Sequence, residues 1–341
     1  MIAFVPKKRL RHGHLMTIYA WARPRRFDDL PVPEERLFQV TEDTRVLAHC
    51  YWKPDRSKHP LLLALHGLEG SSSAHYMRGL AAKGLRAGFN VVLLNQRNCG
   101  GTEHLGPGLY HSGLTHDADH VIRELARTDG IDRVVVAGYS LGGNLALKLA
   151  GEYGEAPPPQ LRGVCAVSPV MDLGRCVDAL ERRQNFPYQW NFVRALRARM
   201  RRKDRCHPGR FDLSPLSSIW TVRTFDDRYT APYFGFAGAT DYYHRASALR
   251  VVDRITVPAL VITAADDPFV PPEPFRDPAV TGNPNITVLI TEHGGHCAFV
   301  AEASGTTDGY WAEDRIIEFA CGIVRPTAEH RQQRAVGQNA S

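Results

Sequence analysis

From about residue 45 onward, short apolar runs alternate with stretches whose apolar residues recur every three to four positions. LLLALHG (61–67) reads as a buried strand, and SSSAHYMRGLAAKGLRAG behind it reads as a helix opened by serines and closed by glycine. NVVLLN (90–95) is the next strand, followed by a glycine-rich loop, NCGGTEHLGPG. THDADHVIRELART predicts a helix with Val121, Ile122 and Leu125 on its apolar stripe. DRVVVAGYS with LGGNLALKLAGEYG repeats the strand–helix unit, and LRGVCAVSP (161–169) adds another strand. This alternation predicts an α/β fold: a mostly parallel central sheet with helices on both faces.

The alternation breaks between Met171 and Ser247, where the chain is long, basic and rich in aromatics. It resumes at VPALVITAADDPFV and NITVLITEHGGH and closes with the helical YWAEDRIIEFACGIV. A structureless connection of that length is uncommon in a compact domain, so 171–247 is expected to be an inserted helical cap on a core formed by 1–170 and 248–325. The polar segment 326–341 reads as a disordered tail. No internal repeat is visible.

Gly138-Tyr139-Ser140-Leu141-Gly142 sits where a strand pattern gives way to a helix pattern and fits G-x-S-x-G, the sharp turn that exposes a nucleophilic serine. So tight a turn strains the serine backbone and leaves no room for side chains at the flanking glycines. Serine needs a base, and the base an orienting acid. Candidates follow in order, each just past a predicted strand: Asp266-Asp267-Pro268, then Glu292-His293-Gly294-Gly295-His296. Asp267 is favoured as the acid because a turn at Pro-Phe-Val-Pro would aim it at the histidine, with Asp266 holding the loop. His296 is favoured as the base because two glycines let its ring swing back, with His293 structural. Glu292, His293 and His296 lie on a glycine loop rather than at zinc-type spacing on a helix, so no metal is expected. Backbone N–H groups of Leu68, in His66-Gly67-Leu68-Glu69-Gly70, and of Leu141 are the candidate oxyanion donors.

The 341 residues are 43% hydrophobic and 23% charged, ordinary values for a soluble globular enzyme. No apolar run is long enough to span a bilayer. The start, MIAFVPKKRLRHGH, lacks the apolar centre of a secretory signal, so the protein is expected in the cytoplasm, at most peripheral to the inner face of the membrane. Seven singly scattered cysteines argue against a disulfide framework or zinc cage. The net charge of +6 concentrates in KKRLRHGH, WARPRR and RALRARMRRKDR (194–205). Such runs are read as solvated helix faces, or as meeting anionic lipid or an acidic substrate, or else nucleic acid, although no nucleic-acid motif accompanies them.

Beyond the elbow, the chain carries Gly13-His14-Leu15-Met16-Thr17-Ile18, His66-Gly67-Leu68-Glu69-Gly70, Arg97-Asn98-Cys99-Gly100-Gly101 and Leu109-Tyr110-His111-Ser112-Gly113. It also carries Phe225-Asp226-Asp227, Thr230-Ala231, Gly235-Phe236, Asp241-Tyr242-Tyr243, Asp266-Asp267-Pro268-Phe269 and His293-Gly294-Gly295-His296. This series resembles the YheT-like branch of the α/β-hydrolase superfamily over nearly the whole chain, with Met16 where the branch has Gln and Asn98 where it has Gly. The resemblance implies the α/β-hydrolase fold, Asp267 and His296 as partners of Ser140, and hydrolysis of acyl-lipid-like esters. At His111 the acyltransferase motif His-x4-Asp of some relatives is not met, because the fifth residue after it is His116, and that activity is not carried over.

The expectation is a serine carboxylic-ester hydrolase that needs no cofactor and acts on a small-molecule or lipid ester. The alternatives are a thioesterase or amidase of the same fold, or a non-catalytic lipid- or anion-binding protein. His66, Gly67, Tyr139 and Phe236 are the expected pocket residues. The cap aromatics Phe186, Tyr188, Trp190, Phe192, Tyr233, Phe234 and Phe236 would form an apolar acyl site, and the basic cap segment would face anionic headgroups. Nothing in the sequence bears on oligomeric state.

Overall fold

The computed structural model describes residues 3–303, 305 and 307–324. Eight strands form one sheet: β1 (Glu34–Thr41), β2 (Thr44–Tyr51), β3 (Leu61–Leu65), β4 (Asn90–Leu94), β5 (Val134–Tyr139), β6 (Leu161–Val167), β7 (Ala259–Ala264) and β8 (Ile286–Thr291). Their spatial order is β1-β2-β4-β3-β5-β6-β7-β8. Only β1–β2 and β2–β4 pair antiparallel; every other pair is parallel.

Parallel neighbours need crossovers, and helices supply them: α2 (His75–Arg86) between β3 and β4, α3 (His116–Asp129) between β4 and β5, and α4 (Leu141–Tyr153) between β5 and β6. Successive strand side chains point to opposite faces, so runs such as LLLAL and VVVAGY are apolar throughout because both faces are covered. Leu61, Leu63, Leu65, Val134 and Val136 pack with Val121, Ile122 and Leu125 of α3 and Leu145 and Leu149 of α4. Leu62, Ala64, Val135 and Ala137 pack on the other face with Met77 and Leu80 of α2 and Ile316 and Ala320 of the helix Trp311–Val324.

Two early elements escape the reading that starts near residue 45. The β1–β2 hairpin turns at Glu42-Asp43 and alternates regularly, burying Phe38 and Val40 from β1 and Thr44, Val46, Ala48 and Cys50 from β2. Before it, α1 (Gly13–Ala22) buries Gly13, Met16 and Ala20. Residues 171–247 are mainly helical, led by α5 (Leu173–Leu180) and α6 (Phe186–Cys206), with a further helix at Ala239–Ala246. The segment 326–341, read from composition as disordered, lies outside the described residues.

Because β3 to β8 are parallel, their carboxyl ends open on one edge of the sheet. The loops after β3, β5, β6, β7 and β8 therefore meet there, at the position where open α/β sheets bind ligands.

Candidate active site

The turn from β5 into α4 holds Ser140 at φ 54°, ψ −114°, a backbone region that side-chain-bearing residues avoid. Its neighbours explain how the strain persists. A Cβ on Gly138 would lie 2.0 Å from the Gly142 carbonyl oxygen, and one on Gly142 would lie 2.3 Å from the Leu65 carbonyl oxygen. Backbone, not flexible side chain, fills both spaces, so Gly142→Ala should cost at least about 3 kcal/mol of stability, measurable from the urea midpoint. The Ser140 N–H donates to the Val167 carbonyl at 2.8 Å, and the Ser140 carbonyl accepts the Asn144 N–H at 3.0 Å. The N–H of Leu141, at the first position of α4, thus has no partner within the helix. The Ser140 hydroxyl has no hydrogen-bonded partner among the described residues.

The loop after β3 passes directly beside this turn: a Cβ on Gly67 would be 3.3 Å from the Ser140 Cβ. The Gly67 N–H donates to the Tyr76 hydroxyl at 3.1 Å and the Glu69 N–H to the Tyr110 hydroxyl at 3.3 Å. The Leu68 N–H between them has no acceptor among the described residues. His66 is fully buried. Its Nδ1–H donates to the Gly67 carbonyl at 2.7 Å and its Nε2 accepts the Gln96 N–H at 3.1 Å, while burial pushes its pKa down to about 4. His66 is therefore a neutral brace for the loop.

The loops after β7 and β8 form two separate acid–imidazole pairs. The Asp267 carboxylate is fully buried; its Oδ1 accepts the N–H groups of Phe269 and Val270 at 3.1 and 3.0 Å, and its Oδ2 lies 2.9 Å from His296 Nδ1. Asp266 turns the other way, accepting the Gly295 N–H at 2.9 Å and facing His293 Nδ1 at 3.3 Å. Burial disfavours the charged form of His296, but the adjacent Asp267 carboxylate more than offsets this and raises its pKa above the ordinary 6.5. With the two histidines committed to different aspartates, no group of three or more metal-ligating side chains gathers among the described residues.

The backbone around His296 is fixed by three contacts that sequence reading missed. Thr17 Oγ1 of α1 accepts the His296 N–H at 2.8 Å and donates to the Gly13 carbonyl at 2.7 Å. Ser168 Oγ accepts the Cys297 N–H at 3.1 Å. The Val167 carbonyl that receives the Ser140 N–H also receives the Cys297 thiol at 3.6 Å, so both loops rest on one oxygen. Ser140, Ser168, Cys297 and Phe299 all hold positive φ here, a concentration of strain typical of functional sites. The Phe269 ring covers His296 at 4.1 Å between centroids.

A cavity opens over Ser140, with Leu68, Leu141 and Phe269 on its wall. Its apolar lining comes chiefly from Leu173, Val177 and Leu180 of α5, Leu196 of α6, and Phe225. The expected pocket residues lie elsewhere. His66 is buried under the loop, and Gly67 is closed in behind Ser140. Tyr139 points to the opposite face of the sheet, where its ring meets Tyr76 at 4.7 Å. Phe236 packs on His111 and Tyr242. Of the seven cap aromatics only Phe192 reaches the wall; Phe186, Trp190 and Tyr233 are exposed. Other aromatics of the segment, Phe225, Tyr242 and Tyr243, line the cavity beside the aliphatic side chains.

The basic run in α6 divides the same way. Arg199 is buried, 2.9 Å from Glu69 of the loop after β3 and 4.6 Å over the Tyr110 ring. Lys203 is buried on Asn98 Oδ1 (2.5 Å), the Glu103 carbonyl (2.9 Å) and the Gly106 carbonyl, and Arg202 reaches Glu103 at 2.5 Å. These three cations hold α6 to the loops of the sheet, while Arg194, Arg201 and Arg205 are exposed.

A mostly parallel eight-stranded sheet with a serine turn after β5 defines an α/β hydrolase. Residues 60–303 match the family described as alpha/beta hydrolase fold, and the chain belongs to that family. Within it, the chain belongs to the YheT-like branch: it is 36% identical over 269 residues to the YheT protein of Escherichia coli (strain K12), covering 77% of each chain. Phospholipase ABHD3 of Mus musculus is 28% identical over 247 residues, which span 72% of this chain and 60% of the phospholipase. The solved Pyrococcus furiosus esterase Pf2001 has the same fold, with a TM-score of 0.59 at 16% identity over 89% of this chain and 100% of that one. The chain is thus an esterase/lipase-type α/β hydrolase. No helix among the described residues is long and apolar enough to cross a membrane.

Proposed function

We propose that the protein is a serine carboxylic-ester hydrolase that works through an acyl-enzyme on acyl-ester substrates, lipids among them. The observation that carries this reading is the buried Asp267–His296 hydrogen bond beside the strained Ser140 turn. Ser140 Oγ attacks the ester carbonyl while His296 Nε2 takes its proton. Asp267 keeps the proton on Nδ1 and stabilises the imidazolium. The Leu68 and Leu141 N–H groups receive the developing oxyanion; losing one such donor typically costs about two to three orders of magnitude in rate. The imidazolium then protonates the departing alkoxide, giving the alcohol and the acyl-Ser140 ester. Water, deprotonated by His296, attacks that ester and releases the carboxylic acid and the free serine. The hydrogen bond from Ser140 to His296 forms as substrate binds, as free enzymes often leave such bonds open. The apolar wall from α5 and α6 suits an acyl chain, and residues 171–247 act as the cap over it.

The test is a fluorophosphonate probe followed by an ester panel. Labelling should map to Ser140 and vanish in Ser140→Ala, with p-nitrophenyl esters turned over faster than matched amides and acyl-CoAs. A chain that neither labels nor hydrolyses any of these contradicts the reading. The pH profile gives an independent check. Only neutral His296 can accept the serine proton, so kcat/KM rises as pH passes through its pKa. Because Asp267 raises that pKa, the acid limb should be centred above pH 6.5, and a limb below it would remove His296 from the role.

A further inference from the structure

The helix α1 touches the site on one side and presents an uncovered apolar face on the other. At about 100° per residue, Gly13, Met16 and Ala20 fall on one side of the helix and are buried. Leu15, Ile18 and Trp21 fall on the opposite side and are 55, 50 and 71% exposed. The His14 ring, stacked on Tyr188 at 5.6 Å, joins this face to the first turns of α6. There Phe186 is exposed, and Trp190 stacks on the exposed Trp220. The two patches form one apolar rim beside the cavity, and Thr17 of α1 holds the backbone of His296.

The rim is bordered by cations. Lys8, Arg9 and Arg11 precede α1, and Arg23 and Arg26 follow it; all five are exposed, and none makes an ion pair among the described residues. The neighbouring Arg25 is by contrast buried against Glu313 and Asp308, and Lys7 is paired with Glu302. The nearest acids in sequence, Asp28 and Asp29, come only after this stretch. A leucine, an isoleucine and tryptophans flanked by unpaired arginine and lysine match the chemistry of a bilayer surface. The apolar groups enter the acyl boundary, the indole rings sit at headgroup depth, and the cations meet anionic lipid.

We propose that α1 and the adjoining start of α6 form a docking surface for an anionic lipid bilayer, turning the cavity mouth toward the membrane. Each basic side chain near such a surface contributes on the order of 1 kcal/mol, and the apolar side chains add to this as they leave water. The proposal goes beyond the esterase reading, because docking needs neither Ser140 nor His296.

The experiment is co-sedimentation of the full chain, in the Ser140→Ala background so that lipid is not consumed. It uses vesicles of phosphatidylcholine alone and of phosphatidylcholine with phosphatidylglycerol. Binding is expected only to the anionic vesicles, weakening as salt is raised. The double variant Ile18→Glu, Trp21→Glu should lower vesicle affinity by more than about tenfold. The same pair of changes in the Ser140 enzyme should leave turnover of a water-soluble short-chain ester within about twofold. Both positions are exposed, so an unchanged thermal midpoint shows that the variant is folded. Arg9→Glu with Arg11→Glu should remove part of the salt-sensitive affinity. Absence of binding to either vesicle, equal binding by wild type and the double variant, or capture by nucleic acid instead of vesicles overturns the proposal. Loss of ester turnover with docking intact would bear on the esterase reading alone.

Discussion

Ser140→Ala should lower ester turnover by about six orders of magnitude while the protein stays folded. The size follows from the acyl-enzyme route: without the hydroxyl no covalent intermediate forms, and His296 and Asp267 have nothing to activate. Their loss is not additive with that of the serine, so Ser140→Ala and the double variant with His296→Ala should be equally inactive. Burst kinetics with a p-nitrophenyl ester measure this directly, since the burst amplitude should fall to zero. A companion change separates chemistry from strain. Ser140→Gly is as inactive as alanine, yet it relieves a positive φ that costs on the order of 1–3 kcal/mol, so it should unfold at higher urea than wild type. An active Ser140→Ala enzyme would end the proposal.

Asp267→Asn should lower kcat by about four orders of magnitude. The amide oxygen can still accept the Phe269 and Val270 N–H groups, so the loop keeps its shape. What is lost is the negative charge that favours the imidazolium. If the amide NH2 faces Nδ1, it also forces the proton onto Nε2, the atom that must receive the one from serine. The acid limb of kcat/KM should at the same time move to lower pH, because the carboxylate is what raises His296. Asp266→Asn should by comparison cost little, since Asp266 faces His293 and the Gly295 N–H. The reverse ranking, with Asp266→Asn the more damaging, would exchange the roles of the two aspartates.

Where one physical cause dominates, the sequence carried the structure. The strands β3 to β7 are buried on both faces, so their apolar runs could be read without tertiary knowledge, and Gly138 and Gly142 announced the turn because backbone occupies their side-chain space. The β1–β2 hairpin was equally patterned, but Phe38 and Val40 alternate with the exposed Leu37, Gln39 and Thr41, so β1 holds no continuous apolar run. The pocket was less legible. Tyr139 follows strand alternation to the far face, and α6 puts Leu196 and Arg199 inward while Phe186 and Trp190 face out. Composition cannot show such facing; a helical projection of α6 would have. Thr17 and Ser168 carried no local signal, since each acts on a loop more than 100 positions away.

The Arg199–Glu69 pair sets a limit on how this molecule handles large substrates. Glu69 follows Leu68 directly, and Arg199 belongs to the helix roofing the cavity. If α6 swings out far enough to admit a bulky ester, it must either strand two buried charges or drag the loop after β3 with it. A bulky ester that needs α6 displaced would thus meet an electrostatic penalty that a small ester avoids.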